Sequence, residues 1–98
     1  DLNINLANKI EKLEPYGHKN PKPLFCVRGV RPEIPMYMGD RQQHVRFNVG
    51  NLTFILFRRG DEFRKYYKSG EPIDLAGYFE KNYYNGYERL QFIIIDYK

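Results

Sequence analysis

Two histidines, one cysteine and twelve acidic residues are the groups in this 98-residue chain that could hold a metal ion or move a proton. Their spacing suits neither task. Hydrolysis of phosphate esters needs carboxylates and imidazoles clustered around metal ions, whereas His18 and His44 fall in separate loops with no Asp-His or His-His pair. A zinc centre needs Cys and His ligands at short motif spacings, and Cys26 stands alone. "RRGDEF", residues 58–63, lacks the spacing of a phosphate loop. Asp40, Asp61, Asp74 and Asp96 are scattered and read as turn, cap or surface charges. The chain by itself is expected to be non-catalytic and to bind no cofactor. What remains is the chemistry of cations and rings. Lys and Arg outnumber Asp and Glu by 16 to 12, for a net charge of +4, beside nine Tyr and seven Phe. Cations meet phosphates and aromatic faces stack on bases, so the pairing points towards nucleic acid. Tyrosines in a β-rich core with charge kept for solubility are the plainer reading.

Several elements must position these groups. Leu6, Ile10 and Leu13 form the stripe of a short amphipathic helix with Asn3 or Asn5 as its cap. "PYGHKNP", residues 15–21, ends it and turns the chain. "LFCVRGVR" (24–31) is a first strand with a bend at Gly29, and "PEIPMYM" (32–38) continues it as an edge or irregular stretch. "HVRFNV" (44–49) alternates cleanly, with Val45, Phe47 and Val49 on one face. Gly50-Asn51 is a two-residue hairpin signal leading into "LTFILF" (52–57). A helix over Glu62–Ser69, capped by Asp61 and closed at Gly70, follows. "PIDLAGYFEKNYY" (72–84) is the fourth strand, bent at Gly77, and Asn85-Gly86 turns it into "RLQFIIIDY" (89–97). The order β-β-β-α-β-β predicts an all-β domain, a five-stranded OB-fold barrel preceded by a linker helix. Residues 1–23 are the linker helix and elbow, and residues 24–98 the OB domain. The longest apolar run, Phe92–Ile95, is too short to span a bilayer. The single cysteine suits a reducing cytosol, and the opening on Asp1 suggests a piece of a longer protein.

These stretches together resemble the C-terminal OB domain of RecJ-type single-stranded-DNA-specific exonucleases. That family follows a leucine-striped helix with Leu-x-Pro-Phe/Tyr-Gly-x-x-Asn-Pro-x-Pro-x-Phe, and this chain has "LEPYGHKNPKPLF", Leu13 to Phe25. "GDRQQHVRFNV" is similar to the family's turn into its second strand, and "NYYNGYERLQFIIIDY" to its closing hairpin. Two departures stand out: Lys19, where relatives carry a small or acidic residue, and Ile93 and Ile95, where they carry polar ones. The resemblance implies a cytoplasmic DNA-repair and recombination enzyme that degrades single strands from the 5′ end. Its Mn²⁺ or Mg²⁺ would sit in a catalytic domain outside this sequence. The partners implied are single-stranded DNA and the parent's own catalytic domains, with no membrane and a monomeric chain.

An OB barrel binds single strands across strands two and three, flanked by the first and fourth loops. Tyr37 and Arg41 are expected on the first loop, Lys81, Tyr83, Tyr84 and Tyr87 around the fourth. Arg46 and Asn48 lie on the outward face of strand two, and Arg58 at the end of strand three. A true two-residue turn at Gly50-Asn51 sets Val49 against Leu52 and Arg46 against Ile55. Leu52, Phe54 and Leu56 then point inward, and Thr53, Ile55 and Phe57 outward. Phe57 becomes a stacking platform. A docking module with little DNA contact is the second reading, favoured by Ile93 and Ile95.

Overall fold

The computed structural model describes residues 10–13 and 22–98. Among these residues seven strands and one helix follow one another: β1 (Ile10–Lys12), β2 (Phe25–Val30), β3 (Met36–Met38), β4 (His44–Val49), β5 (Leu52–Leu56), α1 (Gly60–Tyr66), β6 (Ile73–Tyr84) and β7 (Tyr87–Tyr97). They form one sheet in the order β1-β2-β6-β7-β5-β4-β3. All neighbouring pairs are antiparallel except β5 and β7, which run parallel. The domain is OB-like and mostly β, with the helix between the third and fourth long strands as expected.

Strand one is split. Pro32 and Pro35 lack the N–H that a ladder needs, so the expected continuous strand becomes β2 on β6 and β3 on β4. The five-stranded barrel is therefore a seven-stranded ladder that hydrogen bonds do not close. Between the two halves, the Glu33 N–H donates to the Asn48 carbonyl at 3.1 Å. The bend at Gly29 is a bulge, where the register against β6 shifts between Val27 and Val30. The Asp74 carboxylate accepts the Gly29 N–H at 2.8 Å.

The expected linker helix does not extend to Ile10–Lys12, which pairs with β2 through Ile10↔Val27 and Lys12↔Phe25. An open edge of β2 offers unpaired N–H and C=O groups, and pairing them outweighs a weak helical stripe. The rest of that helix and the 15–21 elbow lie outside the described residues. So do Lys19 and most of the elbow motif.

Phenylalanines make the core. Ring centroids lie 5.1–5.3 Å apart along Phe25, Phe79, Phe92, Phe54 and Phe47, and Phe63 continues the chain 6.0 Å from Phe47. Six of the seven Phe thus stabilise the fold, and Phe57 alone points out. Much of the aromatic content that hinted at nucleic acid is core packing.

The helix begins two residues before the expected start and ends three before the expected end. Arg59, not Asp61, is its N-cap residue, without a side-chain cap bond; Asp61 and Glu62 sit in the first turn, where negative charge suits the helix dipole. The Gly60 N–H donates to the Gln43 carbonyl at 2.9 Å, which fixes that start. Tyr67 leaves the helix in extended geometry to stack on Phe63 at 5.3 Å.

A polar clasp joins α1 to the end of β7. Arg59 Nη2 donates to Glu62 at 2.7 Å and Arg59 Nη1 to the Ile95 carbonyl at 3.1 Å, while the Tyr97 hydroxyl donates to Glu62. The Arg59 hydrogen bond, then that from Tyr97, holds the Glu62 carboxyl below its usual range. Burial, then the Glu62 bond, pushes the Tyr97 phenol up. Because the folded-state value of Glu62 is depressed, its contribution is present above the unfolded carboxyl pKa of about 4.3 and fades as pH falls through the folded value. Glu62→Gln should therefore lower the melting temperature at about pH 7, with the gap to the parent chain closing as pH falls through and below the depressed carboxyl range. Thermal melts of both chains across that range check it.

Candidate nucleic-acid interface

The β4–β5 hairpin carries the outward face, and its turn decides which side chains reach it. Gly50 takes φ +61°, open to glycine at little cost, so the loop is two residues long. The register is Val49↔Leu52, Asn48↔Thr53, Phe47↔Phe54, Arg46↔Ile55 and Val45↔Leu56. Val45, Phe47, Leu52, Phe54 and Leu56 are buried in the core, as the turn predicts. Directly opposed residues share a face. One outer row therefore runs Tyr78, Ile93, Ile55, Arg46, Met36, and the next runs Glu80, Gln91, Thr53, Asn48.

Phe57 follows β5 on this face, 47% exposed, with the His44 ring edge-on at 5.3 Å. Next to it, Arg58 holds φ +67°, uncommon for a residue with a side chain. Its N–H donates to His44 Nδ1 at 2.9 Å, which also orients the imidazole beside the ring. Backbone held in such a region gathers at functional sites. Thr53 Oγ1 donates to Asn48 Oδ1 at 2.8 Å at the other end of the hairpin. Thr53 and Phe57 are four residues apart on one strand, about 13 Å.

Ile55 and Ile93 correct part of the expectation. Both face outward, yet they are 8% and 6% exposed, side by side in the parallel β5–β7 pair. Ile95 remains 46% exposed. The middle of the face is therefore covered, and the accessible rings and polar groups lie at its two ends.

Of the residues singled out in the sequence, Arg46, Asn48, Phe57 and Arg58 share this face or its end. Arg46 is half-buried, with Nη2 3.6 Å from Met36 Sδ. Arg41 is exposed on the 39–43 loop, whose Gln43 side chain accepts the Arg41 N–H at 2.9 Å. Tyr37 is not on that loop. It lies in β3 opposite buried Val45, packs against the core, and has the Arg64 guanidinium 3.9 Å above its ring. Alternation along β3 puts it inside and Met36 and Met38 outside.

The β6–β7 ribbon divides the remaining four. Pairing of Tyr83 with Glu88 and of Lys81 with Leu90 places them on the side of Phe79 and Phe92, away from Arg46. There the Tyr83 hydroxyl donates to Glu88 at 2.9 Å, and Lys81 Nζ lies 3.9 Å from the same carboxylate. Tyr84 pairs with Tyr87 in the backbone ladder, and the exposed Tyr87 ring is in register with the outer rows. Arg89 is on that outer side too and was missed. Alternation back from core residue Phe92 is the signal that finds it.

Among the described residues, Arg41, Arg46 and Arg58 form no ion pair, while Lys22, Arg28, Arg59 and Lys81 do. The outer end of the hairpin thus keeps positive charge available beside an exposed ring. No group of three His, Cys, Asp or Glu among the described residues is placed to hold a metal ion.

An OB-like sheet with that surface invites comparison with known proteins, and the family model described as the RecJ OB domain matches residues 1–96. The chain belongs to the RecJ OB-domain family. The single-stranded-DNA-specific exonuclease RecJ of Thermus thermophilus is 31% identical over 75 residues, covering 76% of this chain and 10% of that protein. RecJ of Bacillus subtilis is 26% identical over 100 residues, covering 98% of this chain and 13% of that protein. Crystal structures of Thermus thermophilus RecJ in complex with Mn²⁺ and with Mg²⁺ match with TM-scores of 0.62 and 0.57. Both are 27% identical over 87% of this chain, covering 12% and 13% of the solved chains. The chain thus spans little more than a tenth of the RecJ proteins it matches.

Proposed function

We propose that this chain is the single-stranded-DNA-binding module of a RecJ-like exonuclease that degrades single strands from the 5′ end in cytoplasmic DNA repair and recombination. Hydrolysis, with its Mn²⁺ or Mg²⁺, belongs to the rest of such a protein; the residues of this chain bind and orient the strand. The observation that carries the reading is the outer end of β4–β5, where Arg41, Arg46 and Arg58 make no ion pair among the described residues and Phe57 stands exposed. Cations follow the backbone and the ring takes a base. Tyr87 extends this surface towards the ribbon, whereas Lys81 and Tyr83, engaged with Glu88, contribute less.

Such binding is electrostatic in origin. Each phosphate neutralised on a single strand contributes about −0.7 to the slope of log affinity against log salt. Two to four contacts give a slope of roughly −1.4 to −2.8 for the monomeric chain on dT15. Fluorescence anisotropy over a salt series measures it, with a blunt duplex as competitor. A flat response, or equal affinity for the duplex, favours the second reading.

That second reading is a docking module held against the parent's own catalytic domains. Ile95, 46% exposed beside the covered Ile55 and Ile93, supports it.

A further inference from the structure

Two neighbouring side chains, Gln43 and His44, lace together the corner where β4 begins and β5 ends. Gln43 Oε1 accepts the Arg41 N–H at 2.9 Å, and His44 Nδ1 accepts the Arg58 N–H at 2.9 Å. Each side chain thus holds the backbone of one arginine. Both arginines are exposed and form no ion pair among the described residues. Arg58 sits at φ +67°, a conformation that a residue with a side chain keeps only when its surroundings hold it there. Gln42, between Arg41 and Gln43, is left-handed too, at φ +55°. The Gln43 amide is folded back into its loop, where a Cβ on Gly39 would come within 2.6 Å of Oε1. The helix braces the same corner, with Arg64 Nη2 donating to Gln42 Oε1 at 2.8 Å and the Gly60 N–H to the Gln43 carbonyl at 2.9 Å.

An arginine on a loose loop loses freedom when it takes a phosphate, and that loss is subtracted from affinity. Here the backbone of Arg41 and of Arg58 is fixed beforehand, while the guanidinium groups are left to reach. A lone pair on Nδ1 receives the Arg58 N–H, so the neutral His44 ring carries its proton on Nε2. We propose that Gln43 and His44 are the positioning residues of this end of the interface, presenting Arg41 and Arg58 to the phosphates of a bound strand. This rests on the single-strand-binding reading above.

Double-mutant cycles on dT15 affinity test it. Gln43→Ala and His44→Phe should each weaken binding about fivefold, the usual contribution of one hydrogen bond, with the circular dichroism of the parent chain retained. His44→Phe keeps a ring beside Phe57 but offers no acceptor. His44→Asn, whose Oδ1 stands in for Nδ1, should recover most of the loss. In an Arg41→Ala chain Gln43→Ala should cost nothing further, and in an Arg58→Ala chain neither should His44→Phe. Losses that multiply in both cycles, or a His44→Asn chain no better than His44→Phe, overturn the inference while leaving strand binding intact. A His44 proton found on Nδ1 in long-range ¹H–¹⁵N spectra overturns it as well. If His44→Phe fails to fold, the Gln43–Arg41 cycle and the imidazole spectrum decide. If the parent chain fails to bind dT15, the single-strand reading falls and the inference with it.

Discussion

Phe57→Ala is expected to weaken binding of dT15 by about 1–3 kcal/mol, the usual cost of losing one base-stacking ring. Phe57 is the one phenylalanine outside the core, and its exposed ring lies beside His44 and precedes Arg58. Truncation removes little from the interior, so circular dichroism and the melting temperature should stay near those of the parent chain. Tyr66→Ala provides the contrast. That ring is also exposed, but it sits on α1 against Tyr97, away from the outer rows, and its loss should leave affinity unchanged. Equal affinity for the Phe57 variant and the parent, with the fold intact, would contradict the stacking role.

Gly77→Ala should destabilise the domain by about 3 kcal/mol or more, the upper part of what overpacking costs. A Cβ built on Gly77 would lie 1.9 Å from the Ile93 carbonyl oxygen and 2.8 Å from the Phe92 ring. The first contact is backbone, so relief requires moving the β6–β7 ladder at the point where its register already shifts, between Ala76 and Gly77. Phe92 cannot retreat, being fully buried and packed on Phe54 and Phe79. A lowered urea midpoint at unchanged slope checks it. A midpoint matching the parent chain would show that the bend tolerates a side chain.

Some of this was legible in the chain. The β4–β5 hairpin follows from Gly50-Asn51 and the alternation of Val45, Phe47 and Val49, because a two-residue turn fixes every opposing pair. Gly77 marked its bend for a reason a sequence carries, namely that only glycine fits so close an approach. The same rule applied to Asn85-Gly86 puts Tyr83 and Arg89 on opposite faces. Other features depend on tertiary partners. Ile10 fits a helical stripe, but the neighbouring edge of β2 decides its conformation. Ile55 faces outward on the hairpin rule, yet it is buried, and its neighbour Ile93 is reached only through the parallel pairing of β5 with β7. The helix start depends on the Gln43 carbonyl, a partner distant in the chain.

The central claim is that a single strand lies on the outer face of β4 and β5, between the Phe57 end and the Asn48–Thr53 end. An amide-resolved NMR titration of the ¹⁵N-labelled chain with dT15 tests it most directly. The largest shifts should cluster at Arg41, His44, Arg46, Asn48, Thr53, Phe57, Arg58 and Arg89, while Lys81, Tyr83 and the Tyr66–Lys68 segment move little. Shifts concentrated on Lys81, Tyr83 and Glu88, or no shifts at saturating oligonucleotide, would contradict it.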